Sequence, residues 1–206
     1  MFFNLPNIIS LTRVILAPLF IYLMLTNDVG YMILACFLYL VAAITDYVDG
    51  WYARKFGLIT KWGQFFDPLA DKILTTSAFI VFYIFDIMPL WMIIVIVFRD
   101  AITTMLRIIT WKRKKMINTS FSAKLKTSVQ MIFIASILVL IFIKLTGVFD
   151  ISPETVDLII YSKWVYYIML FLTILTIWTL IDYIYSNKSL LNVIWSDFTK
   201  KKLANE

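Results

Sequence analysis

Apolar residues are gathered into six blocks, at 8–26, 31–53, 64–86, 89–111, 125–146 and 163–185. A helix rises 1.5 Å per residue, so about 20 apolar residues span a bilayer's hydrocarbon core. Polar breaks separate the blocks: "NDVG" (27–30), the loop around 54–62, "FDIMP" (85–89), "WKRKKMINTS" (111–120) and "GVFDISPETVD" (147–157). The pattern predicts an all-α integral membrane protein: one domain of six transmembrane helices over 1–186, then a tail over 187–206. The tail, "SLLNVIWSDFTKKKL", is basic and weakly amphipathic, which suits an anionic membrane surface. The start, "FFNLPNIISLTR", is expected to lie along the interface before turning into the first span. "MFFNLPN" lacks the basic n-region of a signal peptide, and no small-residue cleavage site follows.

Composition agrees with lipid as the solvent. Of 206 residues, 62% are hydrophobic and 16% charged, with mean hydropathy +0.87; soluble domains carry about a quarter charged residues. Cys36 is the single cysteine and there is no histidine, which excludes an internal disulfide framework and imidazole chemistry. Any metal must therefore be held by oxygen, which favours Mg²⁺ or Mn²⁺. Eleven lysines and arginines fall in the 54–61 loop, the 112–119 loop and the tail from 187, against two, Lys144 and Lys163, around the 144–163 loop. By the positive-inside rule both termini face the cytoplasm, as an even number of spans permits. No nucleic-acid partner is expected.

Against this background stands "TDYVDGWYARKFGLITKWGQFFDPLADK", Thr45 to Lys72, with aspartates at 46, 49, 67 and 71. An ionisable group within a membrane helix costs a few kcal/mol and is a functional candidate by default. Asp46 and Asp49 are three apart and share a helix face; Gly50 and Ala53 fall within about 40° of Asp46. Asp67 and Asp71 are four apart, with Gly63 one turn earlier. One such acid would read as a helix-end aspartate, solvated or paired with Arg54, Lys55 or Lys72. Four carboxylates on neighbouring helices repel strongly at low dielectric unless cations join them. A two-metal site suits that charge count and phosphoryl chemistry.

The spacing Asp46-x-x-Asp49-Gly50-x-x-Ala53-Arg54, eight residues, Gly63, three residues, Asp67, three residues, Asp71 resembles, at every position, the signature of the CDP-alcohol phosphotransferase family. The resemblance implies a six-helix membrane enzyme, usually a homodimer, whose two-metal site opens to the cytoplasm. Such enzymes move a phosphatidyl group from a CDP-linked donor to an alcohol and release CMP. By position, Asp46, Asp49, Asp67 and Asp71 would be metal ligands, and Asp71 also the general base. Gly50, Ala53 and Arg54 would line the CDP site, and Gly63 would admit the nucleotide. The chemistry agrees: an attacking hydroxyl must lose its proton, and no Ser, Cys or His nucleophile constellation suggests a covalent intermediate.

The acceptor is read from the other charges within the blocks. Arg99 and Arg107 fall within about 80° of each other on the fourth segment, beside Asp100. The fifth opens with Lys124 and Lys126, about 200° apart. Several cations would be wasted on a neutral diol but would bind a phosphorylated acceptor. Lys124 and Lys126 as interfacial anchors, and Arg99 simply paired with Asp100, are the alternative. "NLPNIISLTRVILAPLF", "FFDPLADK", "FRDAITTMLR" and "KLKTSVQM" are similar, in order, to the phosphatidylglycerophosphate synthase branch of that family, from about residue 4 to 131. That implies CDP-diacylglycerol and sn-glycerol 3-phosphate as substrates. Asp100 departs from the glutamate of many members. Asn7, Thr12 and Arg13 match the branch and would touch the nucleotide or cap and anchor the first segment. Inositol phosphate, serine and phosphatidylglycerol are rival acceptors within the family. A cation channel or transporter is the non-enzymatic alternative, but it would place its acids nearer mid-bilayer.

Overall fold

The computed structural model describes residues 5–56, 63–112 and 121–188, with side-chain surroundings given for 10–45, 66–110 and 125–188. Six long helices appear where the apolar blocks predict them: α1 (Leu5–Met24), α2 (Val29–Phe56), α3 (Gly63–Ile84), α4 (Leu90–Lys112), α5 (Phe121–Thr146) and α7 (Lys163–Ser186). They pack as a closed ring in the order α1–α2–α5–α7–α4–α3, with α3 returning to α1. Among the described residues all regular structure is helical.

Two expectations need correction. The stretch 147–157 is not a plain break: it holds a 3₁₀ turn, Val148–Asp150, and starts a helix, α6 (Pro153–Ile160). Ser152 accepts from the Thr155 N–H, Pro153 opens the helix, and Glu154 complements its dipole, so local signals start it. Val156 and Ile160 then bury against the bundle, and α6 packs on α5 and α7. From Leu5 onward α1 is a single helix despite Pro18, so residues 5–13 continue into the rest of α1 without the expected turn. The expected interfacial tail, 189–206, lies outside the described residues.

The turns at the end remote from the basic loops are tight. Asn27, Asp86, Phe149 and Asp150 adopt positive φ, as does Gly147 at +65°. Asn and Asp tolerate this region better than branched residues do. Two contacts tie this end together: Tyr161 Oη donates to the Phe85 carbonyl at 3.0 Å, and Lys144 meets Asp157 at 2.7 Å.

The core is a wall of aliphatic and aromatic side chains from α1 to α5 and α7. Phe82 is fully buried, its ring edge-on to Phe79 and Phe133 with centroids 6.4 Å away in each case. Ala35, Ala70 and Ala78, all at 0% exposure, keep backbones close where bulk would not fit. The outer surface is also apolar, with Phe98, Met105, Ile132 and Trp178 exposed. Two stretches, Leu125–Thr146 and Pro153–Ser186, are long and apolar enough to cross a membrane; Ser10–Met24 and Val29–Thr45 are shorter apolar runs. The helices α3 and α4 fall outside that set. They carry Asp67, Asp71 and Lys72, and Arg99, Asp100 and Arg107.

This packing predicts a contrast between two apolar truncations. Phe82→Ala removes a fully buried ring and is expected to cost about 3–5 kcal/mol, whereas Ile94→Ala, on the open face, should stay within about 0.5 kcal/mol. Thermal unfolding of both purified variants checks it. Equal losses would contradict the placement of the core.

Candidate active site

The third helix sets the geometry. Asp67 and Asp71 lie one turn apart on it, so both carboxylates project from one face. Pro68 between them lacks the N–H that would bond back to residue 64, so one backbone bond is missing in the second turn of the helix. Ser10 of α1, itself buried, donates its hydroxyl to Asp67 Oδ1. This bond joins the first helix to the acidic face of the third. Asp71 is partly open, its side chain 23% exposed, and Lys72 Nζ lies 3.3 Å from its Oδ2.

Lys72 also reaches Asp100 Oδ2 on α4, at 3.3 Å. The other oxygen of Asp100 accepts from Arg99 Nη1 at 2.9 Å and from Lys126 Nζ of α5 at 3.0 Å. One carboxylate, 6% exposed, thus receives three cations from three helices. Arg99 Nη2 continues to Thr179 Oγ1 on α7 at 3.0 Å, and Thr103 Oγ1 lies 3.5 Å from Nη1. Burial makes the Arg99 and Lys126 contacts with Asp100 strong but costly to break, because these charges have left water, while Lys72 keeps some exposure. The Lys126 side chain is 1% exposed, so its ammonium depends on Asp100. Three cations, Lys72, Arg99 and Lys126, thus gather at Asp100, with Asp71 beside Lys72 and Asp67 one turn away on α3. Cations gathered in this way can receive an anion such as phosphate.

The expected site residues therefore divide. Asp71, Arg99 and Lys126 come together around Lys72 and Asp100, with Asp67 one turn away on α3. Arg107, two turns beyond Arg99 on α4, is exposed, as is Thr12 on α1. The backbones of Asp46, Asp49, Gly50, Ala53 and Arg54 all belong to the unbroken helix α2, which keeps the two aspartates on one face. Their side chains lie outside the described residues, as do those of Asn7 and Lys124. Gly63 opens α3. Arg13, matched only by resemblance, is buried.

Sequence reasoning misses four members of the constellation: Lys72, Ser10, Thr103 and Thr179. Lys72 reads locally as no more than a partner for a solvated aspartate, nothing nearby marks Ser10, and Thr103 is legible only as a neighbour of Arg99 one turn on. Thr179 has a signal. Thr173, Thr176 and Thr179 are spaced by three along an otherwise apolar helix, and all are buried.

Comparison with known proteins adds a separate line of support. A family model described as CDP-alcohol phosphatidyltransferase matches residues 3–178. A CDP-diacylglycerol–glycerol-3-phosphate 3-phosphatidyltransferase of Bacillus subtilis is 38% identical over 148 residues, covering 66% of this chain and 77% of that protein. A protein of the same name from Rickettsia typhi is 36% identical over 137 residues, covering 66% and 76%. A Mycobacterium tuberculosis protein, named a probable phosphatidylglycerophosphate synthase, is 37% identical over 135 residues, covering 64% of each chain.

Removing the shared carboxylate should expose the cost of the cluster. Asp100→Asn leaves three converging cations without their anion and is expected to destabilise by about 3–5 kcal/mol. Adding Lys126→Met should return part of that loss. Arg107→Gln, on the open surface, should change stability by less than about 0.5 kcal/mol. Unfolding midpoints in one detergent report all three; an Asp100→Asn protein as stable as the parent would contradict the arrangement.

Proposed function

The chain belongs to the CDP-alcohol phosphatidyltransferase family, and on that premise we propose that it transfers a phosphatidyl group from CDP-diacylglycerol to sn-glycerol 3-phosphate. The products are phosphatidylglycerol phosphate and CMP. The observation that carries the choice of acceptor is the convergence of Lys72, Arg99 and Lys126 on Asp100, next to Asp71. A phosphorylated alcohol brings the anion that this cluster favours, and its free hydroxyl then lies toward Asp71. The names of the similar proteins agree with that acceptor.

In this reading Asp71 takes the proton from the acceptor hydroxyl as its oxygen attacks the β-phosphorus of the donor. The new bond joins that oxygen to the β-phosphorus. The bond from the β-phosphorus to the oxygen bridging the two phosphates breaks, and CMP departs with its electron pair. Lys72, held between Asp71 and Asp100, fixes the orientation of the base. Arg99 and Lys126 bind the acceptor phosphate, with Arg107 at the open rim and Lys124 as a further candidate contact. Gly50, Ala53, Arg54 and Gly63 face the CDP, joined by Asn7 and Thr12 of α1. Closeness of acceptor and donor supplies much of the rate, since phosphoryl transfer depends chiefly on positioning and charge stabilisation.

The donor set fits hard divalent cations. Asp67 and Asp71 share one face of α3, Asp46 and Asp49 one face of α2, and the chain has no histidine. These four would hold two ions, Mg²⁺ or Mn²⁺. Bound there, such ions would offset the charge that develops on the phosphate oxygens.

The setting is the cytoplasmic membrane. The six long helices cross it, with the exposed apolar side chains against lipid and α6 at the outer surface. Both termini and the acidic face lie on the cytoplasmic side, where the basic loops are concentrated. The working unit is a homodimer.

A panel of acceptors tests the reading. Purified protein with CDP-diacylglycerol and Mg²⁺ or Mn²⁺ is expected to release CMP with glycerol 3-phosphate, and not above background with inositol phosphate, serine or phosphatidylglycerol. Turnover with another alcohol and none with glycerol 3-phosphate would reassign the acceptor. Asp71→Asn should lower CMP release by about 10²-fold or more while leaving the protein folded. Full turnover in that variant would remove Asp71 from the role of base.

A further inference from the structure

We infer that residues 148–161, which carry α6, lie in the headgroup–acyl boundary of the outer leaflet as a lipid-facing foot of the bundle. The inference rests on the transmembrane setting proposed above and not on the choice of acceptor. Length is the first constraint. The apolar stretch Pro153–Ser186 has 34 residues, but α7 alone, with 24, rises about 36 Å and already exceeds a hydrocarbon core of about 30 Å. The 8 residues of α6 have no thickness left to cross. The short helix ends at Tyr161, and Ser162 starts α7 afresh by accepting from the Val165 N–H.

Level is the second. Exposed aromatic residues stand within two residues of the helix ends on this side: Tyr22 on α1, Tyr31 on α2, Tyr83 on α3 and Trp91 on α4. Tyrosine and tryptophan collect where hydrocarbon meets headgroups. Exposed Tyr161 and Trp164 carry that belt from α6 into the start of α7, so the foot is continuous with the lipid-facing wall of the bundle. A foot at this level also sets the depth of the charged hub: Lys126 lies about 30 Å along α5 from Thr146, near the opposite boundary.

The side chains supply the third. In a connection bathed by water, Phe149 and Leu158 would be out of place at 77% and 76% exposure. Phe149 holds φ +74°, a region that bulky residues avoid, with its ring outside the bundle. On α6, Val156 and Ile160 face the bundle and Leu158 projects from the opposite side. Ile159 lies about 80° to one flank of the buried pair, and Asp157 and Glu154 about 80° and 140° to the other. The helix therefore has three sectors: one against protein, one apolar and one charged, where Lys144 meets Asp157. A helix lying flat at a bilayer surface beside a bundle meets those three surroundings: protein, hydrocarbon and water.

Nitroxide depth measurements test this. Cys36→Ala removes the one native thiol, and Phe149→Cys, Leu158→Cys, Glu154→Cys and Ile174→Cys are introduced singly, all at exposed positions. Each spin-labelled protein is placed in vesicles of phosphatidylglycerol and phosphatidylcholine, and collisions with oxygen and with a water-soluble nickel chelate are compared. Labels at 149 and 158 should favour oxygen at about 5–10 Å below the phosphates, the label at 154 should favour the chelate, and that at 174 should lie deepest. Chelate access at 149 or 158 would put the connection in water and overturn the inference, as would a label at 154 that favours oxygen. Exclusion of both reagents at 158 would make this face a contact between copies, which overturns it too. Chelate access at 174 would instead sink the transmembrane setting itself, whereas a deep label there with chelate access at 158 would remove the foot alone.

Discussion

Asp100 sits where four of the six ring helices are tied by polar contacts. Its two oxygens take Lys72 from α3, Arg99 from its own helix α4 and Lys126 from α5, and Arg99 carries the connection to Thr179 on α7. Remove the carboxylate and three cations are stranded in a low-dielectric interior; remove a cation and the others redistribute around it. Hydrophobic packing between membrane helices is weakly directional, because lipid tails are as apolar as leucine. A buried charged hub supplies the register that such packing lacks. In the same geometry, Lys72 ties the hub to Asp71, so the group proposed to accept the proton is positioned by the residue that aligns the helices.

The first helix has a complementary role. It packs on both α2 and α3, and Ser10 bonds directly to Asp67. The two acidic helices are therefore held by a shared neighbour, which fixes the spacing of carboxylates that would otherwise repel. Thus α1, though it carries none of the four aspartates, is tied to one of them, Asp67, by a hydrogen bond as well as by packing.

Much of this is legible in the amino-acid order alone. Periodicity locates all six long helices, and the spacings of 46 and 49 and of 67 and 71 place each aspartate pair on one face, because such relations are local and follow from 3.6 residues per turn. What escapes such reasoning depends on contacts between distant segments. The pairing of Arg99 with Asp100 is available from adjacency, but that Lys72 and Lys126 share the same carboxylate is a consequence of ring order. The short helix α6 is a different case: Ser152, Pro153 and Glu154 spell a helix start, hidden because the surrounding residues read as a polar loop. Arg107 shows the limit of angular reasoning, since about 80° from Arg99 is enough to leave it exposed.

The tied end of the bundle has a bearing on which parts of the chain a protease can reach. Left-handed residues at Asn27, Asp86 and Gly147 turn the chain within a few residues, and Tyr161 and Lys144 stitch α6 against neighbouring segments. Proteases need an extended, unpinned segment of several residues to engage. With the orientation proposed above, proteases outside the cell would find few cutting sites in these turns. The compact turns would thus act as armour for that end of the bundle.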